Sequence, residues 1–182
     1  MKHSSLIQKQ AGISLIEILV TALILGVGLL GVAAMQVTSI NSNQEGYFRS
    51  QATDIAENVA NRMRTARLAT YDGNTTLLDV INAYQGAPYA CDAAPASCMA
   101  ANCNAAQLIA YDRWETCDLA QTELPEGEIY VQNVSGIRTR VAVAWTPIAA
   151  RADLGQNQIL NVQCQTVGVP NNKDCVILEV IP

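Results

Sequence analysis

From Ile13 to Met35 the chain runs through an apolar stretch of membrane length that holds a single carboxylate, Glu17. No other feature limits the fold as strongly. Such a segment needs lipid or an apolar partner around it, and at about 1.5 Å per residue a helix of this length crosses a bilayer core. Between Ile18 and Met35 the only polar side chain is Thr21. A carboxylate inside such a segment is costly to bury, which marks Glu17 as a functional residue. Ahead of the stretch stand twelve residues without Asp or Glu, ending in Gly12. A secretory signal peptide places its cleavage site after the apolar region, at small residues. Here the plausible cut is Gly12/Ile13, before that region, so cleavage removes a basic leader and keeps the apolar helix.

Charge sets the orientation. Lys2 and Lys9 precede the apolar run, and the first basic residue after it is Arg49. The positive-inside bias puts the leader in the cytoplasm and everything beyond Met35 outside it. All six cysteines, Cys91, Cys98, Cys103, Cys117, Cys164 and Cys175, lie on that outer side. An oxidising compartment suits three disulfides, which six cysteines can form in fifteen ways. Cys164 and Cys175 flank the last turn and are expected to pair, leaving the first four to pair among themselves. Zinc ligation needs close pairs such as C-x-x-C, which are absent, and the only histidine, His3, is in the leader. Asn171-Asn172-Lys173-Asp174 carries oxygen ligands suited to calcium but reads more simply as a solvated turn, so no metal site is predicted.

The formal charge is −5, and without Lys2 and Lys9 the remainder holds 9 basic against 16 acidic residues, or −7. That balance predicts no direct nucleic-acid binding. Beyond the leader there is no histidine, no Ser/His/Asp or Cys/His set and no phosphate-binding glycine loop. The chain is therefore expected not to be an enzyme and to need no cofactor.

Periodicity gives the outline of the fold. Val37 and Ile40, then Ala52, Ile55, Val59, Met63 and Ala66, recur at helical spacing, while Asp54, Glu57, Asn61, Arg62 and Arg64 occupy the other side. No proline interrupts the chain from Ile13 to Leu68, so one helix of roughly 80 Å is expected, its second half packing a stripe into the core. Tyr71-Asp72-Gly73-Asn74 is a turn, Thr76 to Tyr84 a short helix, Gly86 to Asn104 an irregular cysteine-bearing stretch, and Ala105 to Glu123 a helix ended by Pro125 and Gly127. The period then changes to two. Glu128 to Val134 and Arg138 to Trp145 alternate about a Ser135-Gly136 turn, with Val141, Val143 and Trp145 on one face. Gln158 to Val167 and Cys175 to Ile181 are read as two further strands. Short loops between consecutive strands favour an antiparallel meander. The expected class is α+β, with a long N-terminal α-helix packed on a four-stranded antiparallel β-sheet. The divisions are 1–12 leader, 13–35 membrane helix, 36–68 its amphipathic continuation, 69–127 a variable cysteine-containing region, and 128–182 the sheet with a C-terminal cysteine hairpin.

The run Gly12-Ile13-Ser14-Leu15-Ile16-Glu17, with its apolar helix behind, resembles the class III signal of type IV prepilins and type II secretion pseudopilins. The resemblance implies the pilin fold, cleavage after Gly12 by prepilin peptidase, methylation of the new amine on Ile13, and an assembly role for Glu17. Ile13 departs from the family's usual Phe. Leu25-Gly26-Val27-Gly28-Leu29-Leu30-Gly31-Val32-Ala33-Ala34-Met35-Gln36 resembles the anchor of PilV-type minor pilins, as do Asp112-Arg113-Trp114, Leu124-Pro125-Glu126-Gly127 and the strand ending in Trp145. Glu126 stands where that type usually has Gly. The PilV likeness implies a minor pilin in a type IV pilus tip or priming complex, serving twitching motility and adhesion. Its partners would be other minor pilins, the major pilin, a PilY-type tip adhesin and the inner-membrane assembly platform. It would sit in the inner membrane of a Gram-negative bacterium with a periplasmic domain, and then in the extracellular pilus. The alternatives are a GspI-like minor pseudopilin of a type II secretion system and a membrane-tethered periplasmic enzyme or binding domain.

Overall fold

The computed structural model describes residues 12, 14–68, 75–95, 98, 103–148 and 161–182. Helix α1 spans Leu15–Ala66 in 52 residues. It is followed by α2 (Leu77–Tyr84), α3 (Ala105–Glu123), β1 (Glu128–Ser135), β2 (Arg138–Trp145), the short α4 (Val162–Gln165) and β3 (Asp174–Val180). The chain divides between Ile40 and Asn41 into two units. In the first, every α1 residue is exposed, and an 18-residue window reaches a mean hydropathy of 2.6.

The second unit builds a core from its own residues. Its stretch of α1 buries Ala52, Ile55, Ala56, Val59, Ala60, Met63 and Ala66, a stripe at three- and four-residue spacing. Val37 and Ile40, assigned to that stripe from sequence, are exposed, and full burial begins at Ala52. Against the stripe lie Ile129, Val131, Val141, Val143, Trp145 and Val180 from one face of the sheet. Burying each large aliphatic side chain contributes about 1.5–3 kcal/mol. Both α2 and α3 start with capping boxes, Thr76 with Asp79 and Asn104 with Gln107, which satisfy otherwise unpaired backbone N–H groups.

The sheet is an antiparallel meander in the order β1-β2-β3, three strands among the described residues instead of the four expected. Residues 158–160 of the expected third strand lie outside the described residues, and Val162–Gln165 is helical. Asn161 starts this turn by accepting a hydrogen bond from the Gln163 N–H. The physical reason lies on the sheet's second face. Tyr130, Ala142, Ala144 and Cys175 need a cover there, and Cys164, Val167 and Val169 supply it. A segment extended beside β3 would leave that face in water. The β1–β2 turn places Gly136 at φ 56, first of the two central residues, as a II′ hairpin requires.

Cys164 is bonded to Cys175 as expected, and the other four pair as Cys91–Cys117 and Cys98–Cys103. The Cys91–Cys117 bond ties the stretch after α2 to α3 and closes 26 residues of separation. Lys173, buried in the loop before β3, donates from Nζ to a Glu128 carboxylate oxygen at 2.9 Å and to the Glu126 carbonyl at 2.8 Å.

The turn between α3 and β1 shows where glycine is required. Glu126 has φ 50, in the left-handed region. Gly127 does not, but a Cβ built on it would stand 2.0 Å from the Ala120 carbonyl oxygen, which is backbone and cannot swing away. Gly127→Ala is therefore expected to cost about 3 kcal/mol through a forced displacement of β1 from α3. Glu126→Gly relieves about 1–2 kcal/mol of left-handed strain. It also loses the Thr146 hydroxyl contact and adds chain entropy, so the net change stays within about 1 kcal/mol. Thermal unfolding of the two variants checks this. Equal Tm losses would contradict the contact argument.

Candidate functional site

The sequence places the candidate site at the start of α1. Ser14 precedes the helix, and its carbonyl accepts from the Glu17 N–H at 3.0 Å and the Ile18 N–H at 3.3 Å. Glu17 is the third helical residue, within the first turn. Ser14-Leu15-Ile16-Glu17 thus has the S-x-x-E order of a capping box, and a carboxylate there interacts favourably with the positive end of the helix dipole. Leu15, Ile16, Ile18 and Leu19 around it are all exposed. The backbone therefore presents an acid among apolar side chains at the very tip of a helix, where a cation from another molecule can approach. Gly12 is exposed, and Ile13 lies outside the described residues.

A second polar cluster joins α1, α2 and α3. Asp112, buried on α3, accepts from the Tyr84 hydroxyl at 2.6 Å and from Arg62 at 2.6 Å. Arg62 reaches Glu115 at 2.6 Å and donates from Nε to Asn58. Burial works against the Arg62 charge, but the hydrogen bonds it donates to Asp112 and Glu115 outweigh it and raise its pKa. Burial, with the Asp112 bond second, pushes the Tyr84 phenol far up, so it stays a neutral donor. Tyr89 is raised by burial too, although the Arg113 guanidinium lies 4.7 Å over its ring and opposes the shift. A cleft of about 410 Å³ opens beside Arg62 and Asp112. Phenols held neutral and a carboxylate already bonded to a guanidinium suit a structural tie between helices.

Sequence reading placed Arg62 on the polar side of α1 and missed this cluster. Asp112 is one of several polar residues along α3, and nothing in the local pattern distinguishes it. Trp145, read as core, is fully buried, with its indole N–H donating to Glu45 at 3.1 Å. Trp114 is half-buried beside Tyr111. No group of three or more His, Cys, Asp or Glu suited to a metal ion occurs among the described residues.

Two known families match parts of the chain. Residues 7–33 match the prokaryotic N-terminal methylation motif, and residues 34–114 match the Tt1218-like family, described as type IV pilin Tt1218. Residues 34–114, a little under half of the chain, are thus similar to a type IV pilin domain. The methylation motif contains Gly12, Ile13 and Glu17, and the pilin match runs from Ala34 through α1, α2 and most of α3 to Trp114. Asp112 and both of its partners, Arg62 and Tyr84, thus fall inside the pilin match. The sheet lies beyond it. No curated protein and no solved structure matches the chain. The apolar helix together with the motif fits anchoring in a membrane and assembly with other pilins.

Proposed function

We propose that this chain is a minor subunit of a type IV pilus, of the PilV type, acting in the tip or priming complex that starts assembly. The observation that carries the reading is Glu17 in the first turn of an exposed apolar helix, inside a matched methylation motif. Prepilin peptidase cuts the Gly12–Ile13 bond and methylates the Ile13 amine. The helix first rests in the inner membrane and then moves into the filament. There Glu17 pairs with the N-terminal amine of a neighbouring subunit. A lone carboxylate in apolar surroundings is penalised, and a cation partner recovers much of that penalty, which favours one axial register over others. The subunit is structural and works with the major pilin, other minor pilins, a PilY-type tip adhesin and the assembly platform. Twitching motility and adhesion follow from that role. The six cysteines and the similarity of residues 34–114 to a type IV pilin family favour a pilus over a secretion pseudopilus.

The N-terminal peptide from wild-type cells and from cells lacking prepilin peptidase tests the processing step by mass spectrometry. The expected result is N-methylated Ile13 in the first and an uncut Gly12–Ile13 bond in the second. An uncut bond in both strains would overturn the reading. Loss of surface pili on deletion, with protein secretion intact, is expected. The reverse pattern would assign the chain to a secretion pseudopilus.

A further inference from the structure

The polar tie between α1 and α3 also forms a wall of the cleft of about 410 Å³. That size lies within the range of roughly 300–1,000 Å³ found for small-ligand sites. Asn58, Asn61, Arg62 and Thr65 of α1 line it with Leu108 and Asp112 of α3. What these groups have left to offer is set by the bonds they already make. An arginine has no acceptor, so a carboxamide bonded to a guanidinium turns its oxygen toward it and its NH2 away. Asn58 Oδ1 accepts from Arg62 Nε at 2.7 Å, and Asn61 Oδ1 accepts from Arg64 Nη1 at 2.9 Å. Both Nδ2 groups are left without a protein acceptor among the described residues. Arg62 spends Nε on Asn58 and Nη1 on Asp112 and Glu115, which leaves Nη2. Both Asp112 oxygens are engaged, by Arg62 and by Tyr84. Thr65 gives its hydroxyl hydrogen to the Asn61 carbonyl at 3.0 Å and keeps its oxygen as an acceptor.

The unspent capacity selects the ligand. The donors left are two carboxamides and one guanidinium NH2, and the acceptor left is a hydroxyl oxygen. The charges around them balance, Asp112 and Glu115 against Arg62 and Arg64. An anion would stand beside two carboxylates, and a cation would find the Asp112 carboxylate already bonded. The fitting ligand is therefore neutral and rich in acceptors, with a hydroxyl of its own to give Thr65. Leu108, 39% exposed, adds an apolar wall suited to a methyl group. Both walls are helices whose backbone groups bond within the helix, so an extended peptide cannot add to them as a strand. We propose that this cleft binds a neutral N-acetylated hexosamine, its acetamido and ring oxygens accepting from Asn58, Asn61 and Arg62 and its methyl lying against Leu108. Such a ligand gives the adhesive role proposed above a chemical target. The binding belongs to the folded domain, so it stands or falls independently of entry into a pilus.

Saturation-transfer NMR on the full chain in a zwitterionic detergent, with N,N′-diacetylchitobiose as the probe, tests this. Transfer to the acetyl methyl groups is expected, and weaker transfer to cellobiose, which lacks the acetamido group. Asn58→Asp and Asn61→Asp keep the oxygen that each arginine needs and replace the NH2 by a second acceptor oxygen. Each is expected to weaken chitobiose binding about tenfold or more, because an acceptor then meets an acceptor. Thermal unfolding close to wild type would establish that both variants are folded. Leu108→Ala, outside the bonded tie, is expected to weaken binding about threefold through lost apolar contact. A muramyl disaccharide separates the cell's own wall from other glycans, since its lactyl carboxylate would stand beside Asp112 and Glu115. It is expected to bind more weakly than chitobiose. The proposal is overturned by absent transfer to chitobiose or by unchanged binding in both aspartate variants. Tighter binding of the muramyl sugar, of trialanine or of inorganic phosphate than of chitobiose would overturn it equally.

Discussion

Glu17→Ala is expected to leave the chain in the membrane and to remove it from filaments. Membrane insertion depends on the apolar length of α1, and deleting a charge from that helix only favours lipid. Incorporation is different, because a neighbour's N-terminal cation would then be buried without its partner. Leaving one member of a buried pair alone costs about 3–5 kcal/mol, a loss of a hundred-fold or more in occupancy. Glu17→Gln separates charge from shape, since it keeps hydrogen-bonding capacity and the capping position but cannot neutralise the amine. It is expected to resemble the alanine variant in filaments. The measurement is the ratio of chain in sheared pili to chain in membranes, by immunoblot, for wild type and both variants. Equal ratios would show that Glu17 serves only the helix start.

Asp112→Ala is expected to destabilise the cysteine-bearing domain strongly. It removes at once the acceptor of the buried Tyr84 hydroxyl and one of the two carboxylates on Arg62. An unsatisfied buried hydroxyl costs about 1–3 kcal/mol. The guanidinium loses less than a fully buried one would, since its side chain is 28% exposed and Glu115 remains at 2.6 Å. Together the loss is about 3 kcal/mol, which lowers Tm by roughly 10 °C for a domain of this size. Tyr84→Phe removes the hydroxyl with its desolvation cost and should lose only about 1 kcal/mol. If Asp112→Ala melts within a degree of wild type, the tie between the three helices contributes nothing. The same cluster gives a direction with pH. The folded phenol of Tyr84 titrates above its unfolded value of about 10, so its contribution is complete below that pH and is lost as pH rises beyond it. The slope is about 1.4 kcal/mol per pH unit for each tyrosine held neutral.

The sequence by itself determined every element whose signal is local. The apolar run and Glu17 placed α1 and its tip, because membrane length and a lone carboxylate are properties of consecutive residues. The change of period from 3.6 to two placed β1 and β2, since which side of a strand is apolar is written in alternation. The stretches Thr76 to Tyr84 and Ala105 to Glu123 were legible as helices from their local composition and their turn residues. The C-terminal disulfide was legible because its cysteines bracket one turn.

Tertiary structure alone decided the rest. Val162 to Val167 alternates as a strand would, yet part of it is helical, because the sheet's second face had to be covered and local alternation carries no record of that demand. Cys91 and Cys117 meet only because α3 folds back beside the stretch after α2. Arg62 on α1 and Asp112 on α3, fifty residues apart, are an ordinary surface cation and an ordinary helical acid until packing removes water from between them. Gly127 is needed for a carbonyl seven residues earlier that turns back onto it. In each of these cases the deciding energy comes from desolvation or contact between segments distant in sequence, which no local pattern encodes.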